Sequence, residues 1–522
     1  MTTSEAKATE TRLSGDTLAD VLRHWARHTP QALALSGTGA SRTWLQTFER
    51  ATRIAQGLLA AGVRPGERVG YFARNRPEYY EIAFAAAMAG AVLVALNWRL
   101  SGPEAASVLE HSEAVVLFAE PDLLEQLPGA EQAHTRTRLV VGLSAGPGPH
   151  PGYEPWLARF PAIDPERPAG PADPVLQVYT SGTTGLPKAA LFSHSAIRAT
   201  TGISGITGVG RRSVLLISIP VFHAAGGVMG LIGLSSGAHV VVSADASPEA
   251  FGRMVERYRV TMTVVVPTVL HTMVGSAELA RAELSSLHTV AYAGAPMPPA
   301  LQRACLARFG CRLVQLYGST ELIGVTGLAH EDHVDDRHPE RRGSVGKPLP
   351  GVTVRVVDPE SGIDRPEGVL GEVWAKAPTA MIGYWRAPEL TAEVLTGDGF
   401  VRTGDAGRLV DGYLYLGDRL RDMIITGGEN VFPAEVENVL LEHPAIMEAA
   451  VVGAPSPKWG ETVRAVVVRR PGSEVGAAEV VTFCRERLAH YKCPAVVEFA
   501  GALPRNASGK VLRRLLRDSG PK

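Results

Sequence analysis

The chain has 522 residues, of which 45% are hydrophobic and 20% are charged. This length exceeds that of one ordinary domain, so we expect two or more domains, and the composition is typical of a globular protein with a sizeable core. A formal net charge of -1 argues against nucleic acid or an anionic membrane surface as a partner, since both attract strongly basic proteins.

Cysteine use and apolar stretches bear on where the protein works. The four cysteines form no CxxC pair and no cluster with zinc spacing, so we expect reduced thiols in a cytoplasmic protein. The N-terminal residues are polar and lack the apolar stretch of a signal peptide. The long apolar run 214–243 contains Pro220, His223 and several glycines, which predicts a buried segment with turns and no transmembrane span.

Helices and strands alternate in the first third of the chain. Apolar residues spaced three and four apart predict a helix around 48–58, and the run 68–72 predicts a strand. A second helix at about 77–88 and a second strand at 91–96 follow. Strand, helix and strand in this order imply parallel pairing, so we expect a mixed α/β fold built in layers. The Pro- and Gly-rich run 142–174 predicts an exposed connection without regular elements.

The pattern changes twice in the rest of the chain. After a predicted strand at 260–266, helix at 298–309 and strand at 312–316, short strands with frequent turns begin at Gly343 and predict a β-rich subdomain. A second change near Gly417 introduces a compact unit with helix 433–442, strands 449–452 and 463–468, helix 475–488 and strand 496–499. We therefore expect a large N-terminal domain over 1–418, a hinge at 419–422 and a small, mobile α+β C-terminal domain over 423–522.

A loop rich in glycine and hydroxyl groups follows Tyr179. Two glycines let backbone N–H groups approach an anion and a lysine supplies positive charge, so a polyphosphate is the expected ligand. The loop differs from a Walker A loop because Pro187 precedes the lysine and Ala189 follows it. A surface loop of similar composition is the alternative interpretation. The candidate residues are Thr180, Ser181, Gly182, Thr183, Thr184, Gly185 and Lys188.

A second candidate segment follows the predicted strand 312–316. Ligands of α/β proteins bind at the carboxyl ends of strands. There Tyr317 offers a ring for stacking a base, Thr320 a donor to phosphate and Glu321 an oxygen ligand for Mg²⁺. Turns after strands are often rich in such residues, so this segment alone is weak evidence. Its remaining members are Gly318 and Ser319.

Two further segments place a charged residue behind a glycine turn. Asp405 follows Gly404, where its carboxylate can accept from both hydroxyls of a ribose. Lys510 follows a turn of small residues close to the end of the chain, where a solvated surface lysine is the ordinary interpretation.

Together these four segments resemble those of the acyl-CoA synthetases in the adenylate-forming superfamily, which also contains amino-acid adenylation domains and firefly-type luciferases. The resemblance covers roughly residues 18–516, with the motifs in the family's order. It implies an AMP-forming acid–thiol ligase that uses ATP, Mg²⁺ and coenzyme A. In such enzymes a carboxylic acid and ATP give an acyl-adenylate and pyrophosphate, and coenzyme A then takes the acyl group and releases AMP.

The resemblance also implies roles for individual residues. The loop over 180–188 would hold the β- and γ-phosphates, Thr320 would contact the α-phosphate and Glu321 would bind Mg²⁺. The adenine side opposite Tyr317 would be lined by Gly294, Ala295 and Pro296, and the ribose would be held by Asp405 and Arg419. Lys510 would catalyse adenylate formation, and the other members of the catalytic set would be Thr184, His223 and Glu321. Arg421 lies at the family's hinge position, and the thiol channel would be bordered by Gly427 and Gly428.

The acid site is predicted from a second resemblance. The string 220–223 is similar to the PxFH string of acyl- and aryl-CoA ligases, in which the histidine borders the acid site; a satisfied core histidine is the alternative. Leu316 stands where malonate-activating relatives carry an arginine, so we expect an apolar or bulky monocarboxylic acid, with fatty, aryl and natural-product acids all open. The expected pocket wall, besides His223 and Leu316, is Ala224, Gly226, Gly227, Val228, Met229, Ala293, Ile323, Gly324 and Val325.

Two other functions stay open at this point. One is an acid–AMP ligase that loads a carrier protein or leaves the adenylate for another enzyme. The other is a non-catalytic nucleotide-binding relative, which is disfavoured because Thr184, Lys188, Glu321, Asp405 and Lys510 are all present. The polar string 330–338 keeps no fixed ligand spacing, so a solvated loop is predicted there in preference to a metal site.

Overall fold

The computed structural model describes residues 15–37, 39–127, 136–143, 149–180, 188–295, 297–419, 422, 424–426, 429–456, 459–505 and 511–518. Contacts within the chain divide it into two compact units. Unit one consists of Met1–Ser204 and Val209–Ala244, and unit two consists of Gly205–Gly208 and Asp245–Lys522. This division is separate from the hinge at 419–422, and the bounds 1–418 and 423–522 stay predictions.

Strands and helices alternate through unit one. The strands are β1 (Leu33–Gly37), β2 (Ala40–Thr43), β3 (Arg68–Phe72), β4 (Val92–Ala95), β5 (Ala114–Ala119), β6 (Leu139–Gly142), β7 (Pro174–Thr180), β8 (Lys188–Ser193), β9 (Val214–Ile217) and β10 (His239–Val242). The helices that begin before residue 244 are α1 (Leu18–His28), α2 (Trp44–Ala60), α3 (Glu78–Ala89), α4 (Gly102–Ser112), α5 (Pro121–Leu124), α6 (Tyr153–Leu157), α7 (His194–Ala199), α8 (Ser204–Thr207) and α9 (Ala224–Ser235).

Two groups of paired strands form the frame of unit one. One group has the order β8-β7-β4-β3-β5-β6 and is parallel except for the β7–β8 pair, and the other has the order β9-β10-β1-β2. Strand β3 matches the predicted strand 68–72, and Arg68 pairs with Val92 of β4 in parallel register. The prediction of a parallel strand–helix–strand unit is therefore confirmed.

Helix α2 shows how local sequence sets an element. Thr43 caps it, because its side chain accepts from the Gln46 N–H while the Gln46 side chain accepts from the Thr43 N–H. Three of the four residues of the predicted apolar stripe, Ala51, Ala55 and Leu58, are fully inaccessible, and Phe48 is half-buried. The helix predicted around 48–58 is thus confirmed.

The prediction that residues 142–174 form a connection without regular elements is wrong in part. Helix α6 lies within it, and both Tyr153 and Trp156 of this helix are buried. Trp156 packs edge-on against Phe118 of β5, with ring centroids 5.5 Å apart, and it also covers Gly57 of α2. Two aromatic anchors therefore hold a helix that is too short to show any periodicity in the sequence.

Unit two contains the remaining elements. Its strands are β11 (Met262–Val265), β12 (Thr289–Ala293), β13 (Arg312–Tyr317), β14 (Thr326–Leu328), β15 (Lys347–Pro348), β16 (Thr353–Val357), β17 (Gly371–Lys376), β18 (Gly383–Tyr384), β19 (Val401–Val410), β20 (Tyr413–Arg419), β21 (Ile424–Thr426), β22 (Glu429–Val431), β23 (Ile446–Ser456), β24 (Gly460–Arg469) and β25 (Val496–Phe499). Its helices are α10 (Pro248–Tyr258), α11 (Pro267–Val274), α12 (Pro299–Phe309), α13 (His330–Val334), α14 (Pro388–Val394), α15 (Pro433–Glu442), α16 (Ala477–Arg485) and α17 (Arg513–Asp518).

Three groups of paired strands organise unit two. The first has the order β15-β14-β13-β12-β11, with β11, β12 and β13 parallel. The second, β16-β17-β19-β20, is wholly antiparallel and confirms the predicted β-rich subdomain. The third has the order β22-β21-β24-β23, with β25 beside β24. The predicted elements of the C-terminal part are all present in this third group and its helices.

The C-terminal part has a hydrophobic core of its own. Val436 and Leu440 of α15 pack with Val451 of β23 and Val463 of β24, and all four side chains are at most 1% exposed. Strands β23 and β24 run several residues beyond the predicted ranges, and the residues at their ends continue the antiparallel pairing. Within the described residues, no helix combines the length and apolar character needed to cross a membrane.

Candidate active site

The predicted phosphate loop is the connection of a β-hairpin in unit one. Strand β7 ends at Thr180, β8 begins at Lys188, and these two residues face each other in the antiparallel register. The paired strands hold the two ends of the loop at a fixed separation. Five of the predicted residues, Ser181, Gly182, Thr183, Thr184 and Gly185, lie outside the described residues, so the phosphate-binding role of the loop stays a prediction.

The turn after β13 is shaped by a glycine that sequence reasoning did not explain. A Cβ built on Gly318 would lie 2.1 Å from the carbonyl oxygen of Ile323, so only glycine fits there. The Val325 N–H donates to the Tyr317 carbonyl at 2.8 Å, and Ile323 adopts a positive φ of 62°. The chain therefore folds back on itself directly after the strand, and this compact turn carries Thr320 and Glu321.

Tyr317 and Asp405 meet across two strand groups of unit two. The Tyr317 hydroxyl donates to Oδ2 of Asp405 at 2.8 Å. Asp405 lies in β19 opposite Arg419 of β20, where the register shifts by a bulge, and the preceding Gly404 has a φ of 68°. The bulge directs the carboxylate toward the end of β13. The structure thus brings together Tyr317, Asp405 and the backbone of Arg419, whose side chain lies outside the described part.

Glu321 is held by a segment 60 residues further along the chain, which the sequence did not reveal. The Tyr384 hydroxyl donates to Oε1 of Glu321 at 2.6 Å, and the Met381 N–H donates to the Glu321 carbonyl at 2.8 Å. The Thr379 hydroxyl donates to the Leu322 carbonyl at 2.6 Å. Among the residues that the structure describes, none donates to Oε2 of Glu321, so that oxygen is available to a ligand.

The residues that follow β12 lie beside the Tyr317 turn. Strands β12 and β13 are parallel neighbours, and Ala293 pairs with Leu316, so Gly294 and Ala295 emerge at the same sheet edge as Tyr317. Gly294 has a φ of 83°, a value that favours glycine. The Ser319 hydroxyl is inaccessible and has no partner among the described residues. This edge is where the predicted adenine-side residues converge, except Pro296, which lies outside the described part.

His223 lies at the start of α9 in unit one. Its Nε2 atom is inaccessible to solvent and has no hydrogen-bond partner within the described part of the chain. Burial lowers the pKa of His223 to about 4, and the positive charge of Arg99 acts in the same direction. The imidazole is therefore neutral at physiological pH. A buried, unpartnered ring nitrogen carries a desolvation cost that a bound group would relieve, and the role of His223 at the acid site stays a prediction.

The glycines of α9 make room for protein atoms. A Cβ on Gly227 would lie 2.6 Å from the Tyr79 hydroxyl, and one on Gly226 would lie 2.2 Å from the Pro220 carbonyl. The Tyr80 hydroxyl also donates to the Gly226 carbonyl at 3.1 Å. Protein atoms therefore fill the side toward which the Cβ of either residue would point, and the pocket role of both glycines stays a prediction. The pocket set otherwise stays a prediction, with Val228 and Met229 buried in unit one and Leu316, Gly324 and Val325 buried in unit two.

Several predicted residues lie outside the described part: Arg421, Gly427, Gly428 and Lys510. The structure nevertheless fixes the residues around them. Thr426 of β21 pairs with Glu429 of β22 in antiparallel register. Arg505 and Val511, which lie on either side of Lys510 in the chain, form an antiparallel bridge.

The prediction of a solvated loop over residues 330–338 is wrong for the first half of this segment. Residues His330–Val334 form α13, and His333 is buried with its ring between the Tyr292 hydroxyl, 3.0 Å from Nε2, and the Ala329 carbonyl, 2.7 Å from Nδ1. Burial lowers the pKa of His333 to about 4. Within the described residues, no group of three or more His, Cys, Asp or Glu side chains could hold a metal ion.

Comparison with known families identifies the class of this fold. The chain matches the family model of the AMP-binding enzymes over residues 22–385 and that of the AMP-binding enzyme C-terminal domain over residues 435–510. Because the first match alone covers more than half of the chain, the chain belongs to the AMP-binding enzymes. The expected fold class is confirmed: a mixed α/β protein with a large N-terminal domain and a smaller C-terminal domain.

Individual relatives extend this result. The chain is 40% identical over 503 residues to the feruloyl-CoA synthase of Amycolatopsis sp, covering 94% of this chain and 96% of the relative. It is 37% identical over 512 residues to ScoC, a fatty acid–[acyl-carrier-protein] ligase of Streptomyces coeruleorubidus, covering 96% of both. The ATP-bound structure of MatB from Rhodopseudomonas palustris superposes with a TM-score of 0.87 at 29% identity, over 96% of this chain and 98% of that one. The predicted enzyme class, an AMP-forming acid–thiol ligase, is thereby confirmed.

Proposed function

We propose that the chain activates an apolar or bulky monocarboxylic acid with ATP and passes the acyl group to coenzyme A. The acid and ATP would give an acyl-adenylate and pyrophosphate, and the thiol would then displace AMP. The observation that carries this proposal is the meeting of Tyr317, Asp405 and the Glu321 turn at the carboxyl end of β13. That edge is where nucleotides bind in α/β proteins.

The residues of this edge suit the nucleotide. The Tyr317 ring supplies an aromatic face for adenine, and its hydroxyl fixes Asp405, whose carboxylate suits ribose hydroxyls. The unpartnered Ser319 hydroxyl and the neighbouring Thr320 supply polar groups for the phosphate chain. We assign the β- and γ-phosphates to the loop between Thr180 and Lys188.

The donor set fits Mg²⁺. This ion is usually held by one or two carboxylates together with substrate phosphates and water, and Glu321 offers one carboxylate whose Oε2 is available. We propose Glu321 as its protein ligand. When bound, Mg²⁺ supplies positive charge that offsets charge on the phosphate oxygens.

Adenylate formation brings a carboxylate to the α-phosphate, so two anions must approach each other and the barrier is largely electrostatic. We assign Lys510 to this step, where its ammonium would offset the charge that develops on the α-phosphate. No side-chain nucleophile is required. The residues on either side of this lysine in the chain, Arg505 and Val511, form an antiparallel bridge.

A neutral His223 fits a site that must accept an acid and then a thiol. Its inaccessible Nε2 has no partner among the described residues, so a substrate group that contacts it would satisfy an otherwise costly buried atom. In unit two, Leu316 is 7% exposed and apolar, and it supplies no positive charge for a second carboxylate. Both residues therefore support a monocarboxylic acid with an apolar tail.

The acceptor thiol has two candidates. Coenzyme A is the first, in line with the 40% identity to a feruloyl-CoA synthase. The phosphopantetheine of a carrier protein is the second, and the 37% identity to the acyl-carrier-protein ligase ScoC favours it specifically. Both acceptors present the same pantetheine thiol, so the adenylation site is common to the two.

The test is a panel of acids assayed for pyrophosphate release, with coenzyme A, with a loaded carrier protein or with neither, and with products identified by mass spectrometry. We expect apolar monocarboxylates to be activated and an acyl-coenzyme A to accumulate. Acyl transfer to the carrier protein alone would select the second candidate. Failure of every acid to release pyrophosphate would contradict the proposal.

A further inference from the structure

We infer that Tyr384 is a positioning residue for the Glu321 carboxylate, holding one of its oxygens so that the other faces the metal of Mg²⁺·ATP. The inference rests on the proposed metal role of Glu321 and adds a residue that no motif of the sequence indicated. Tyr384 itself touches neither the nucleotide nor the metal in this assignment. It acts through Glu321.

The contact between the two side chains is short and directed. The phenol donates to Oε1 at 2.6 Å, which is within the range of charge-assisted bonds between a hydroxyl and a carboxylate. Tyr384 is only 6% exposed, so water competes poorly for this contact. Since Oε1 is engaged, the carboxylate cannot rotate freely, and Oε2 keeps one direction.

The backbone of the Glu321 turn is held independently of this bond. The Met381 N–H and the Thr379 hydroxyl donate to the carbonyls of Glu321 and Leu322. These two bonds fix the course of the turn, whereas Tyr384 is the described residue that donates to the Glu321 carboxylate itself. Deleting the phenol hydroxyl should therefore loosen the carboxylate and leave the turn in place.

Tyr384 is in turn fixed by its own surroundings. Its N–H donates to the Thr391 hydroxyl at 2.9 Å, and that hydroxyl donates to the Ala387 carbonyl at 2.8 Å. A Cβ on the preceding Gly383 would lie 2.8 Å from Cγ2 of Thr391, so glycine permits this close approach. The phenol thus projects from the end of β18, and Thr391 ties the backbone there to α14, as the support of a positioning group requires.

A single-carboxylate metal site depends strongly on such support. Within the described residues, no group of three or more His, Cys, Asp or Glu side chains could hold a metal ion, so in this assignment the orientation of one Glu321 oxygen decides what the protein contributes. Loss of an outer partner of a metal ligand typically weakens metal affinity by about tenfold to a hundredfold.

The experiment compares Tyr384→Phe with a matched control, Tyr413→Phe. The Tyr413 hydroxyl donates to Oδ1 of Asp332 at 2.7 Å, and Tyr413 is 5% exposed, so the control deletes an equivalent buried phenol–carboxylate bond away from Glu321. Binding of ATP is measured by calorimetry with and without Mg²⁺, in the absence of acid so that no turnover occurs. Bound Mn²⁺ in the ATP complex is counted by electron paramagnetic resonance, and thermal unfolding is followed for each variant.

We expect Tyr384→Phe to weaken ATP binding in the presence of Mg²⁺ by at least about tenfold, and to change metal-free ATP binding by less than about twofold. Tyr413→Phe should leave both constants within about twofold of those of the unchanged chain. In a Glu321→Gln background, Tyr384→Phe should add little to the loss of metal-dependent binding, because the ligand is already gone. The comparison in the Glu321→Gln background tests whether Tyr384 acts through Glu321, even where Tyr384→Phe lowers the melting temperature.

Three results would overturn the inference. Unchanged metal-dependent binding in Tyr384→Phe, with Glu321→Gln weakened, would reject the role of Tyr384 alone. An equal loss of metal-free and metal-dependent binding would show that Tyr384 serves the fold. Unchanged metal dependence in Glu321→Gln would reject the metal role of Glu321 and this inference together.

Discussion

Removal of one hydroxyl group tests the link between the adenine and ribose sides of the proposed ATP site. Tyr317→Phe keeps the ring that would stack on adenine and deletes the hydroxyl that donates to Asp405 at 2.8 Å. A hydrogen bond to a charged group contributes about 1.5–3 kcal/mol. Tyr317 and Asp405 are both half-buried, so in the variant water can replace part of the lost bond to the carboxylate. Because Asp405 is the proposed ribose ligand, we expect the free energy of ATP binding to weaken by about 1–1.4 kcal/mol. That loss corresponds to a roughly fivefold to tenfold higher KM for ATP.

Pyrophosphate release at saturating acid and varied ATP measures this effect. We expect kcat to change by less than about twofold, because Tyr317 is not assigned to the chemical step. Tyr413→Phe, which deletes a phenol–carboxylate bond to Asp332, is the control for a loss of stability alone. An unchanged KM for ATP in a folded Tyr317→Phe variant would refute the reasoning, and so would a fall in kcat with KM unchanged.

Four further predictions address other parts of the account. Lys510→Ala should nearly abolish adenylate formation while thioester formation from presynthesised acyl-adenylate survives; equal loss of both half-reactions in a folded variant would contradict its assignment. Gly318→Ala should lower the melting temperature and the adenylation rate, because its Cβ would lie 2.1 Å from the Ile323 carbonyl; unchanged melting and rate would show that the turn yields without cost. Apolar monocarboxylates should exceed malonate, succinate and free amino acids in kcat/KM by at least about a hundredfold, roughly 2.7 kcal/mol, and Gly324→Leu should depress activity on the bulkiest acids most. Burial lowers the pKa of His223 to about 4, whereas an ordinary histidine has a pKa of about 6.5, so the unfolded chain takes up a proton at this residue before the folded chain does. The free energy of unfolding should therefore fall as the pH falls from about 6.5 toward 4. His223→Gln should make this loss smaller when chemical unfolding is measured across that pH range.

Elements with strong local signals were predictable to within a few residues. Strand β3 and helix α15 have the predicted bounds, because an apolar run or a proline start marks each of them in the sequence. Helix α6 and helix α13 were missed. Each has five residues, and each is held by buried rings that contact distant parts of the chain, Trp156 on Phe118 and His333 on Tyr292.

In the candidate site, too, some contacts were expected from the sequence and others became visible only in the folded chain. The proximity of Tyr317 and Asp405, 88 residues apart, was expected only from the family resemblance, since no spacing rule links them. Tyr384 lies 63 residues from Glu321 and carries no motif of its own, so its contact required the folded chain. The role of Gly318 was hidden for a related reason: a glycine after a strand indicates a turn, but only the position of the Ile323 carbonyl shows that no larger residue fits.

The central claim is that the carboxylate of the acid attacks the α-phosphorus of ATP. The most direct measurement uses an acid whose carboxylate carries a heavy oxygen isotope, with the AMP product analysed by mass spectrometry after transfer to coenzyme A. The account predicts that AMP, and no ADP, is formed and that its phosphate carries one labelled oxygen from the acid. Formation of ADP, or of AMP without label while acyl-coenzyme A accumulates, would contradict it.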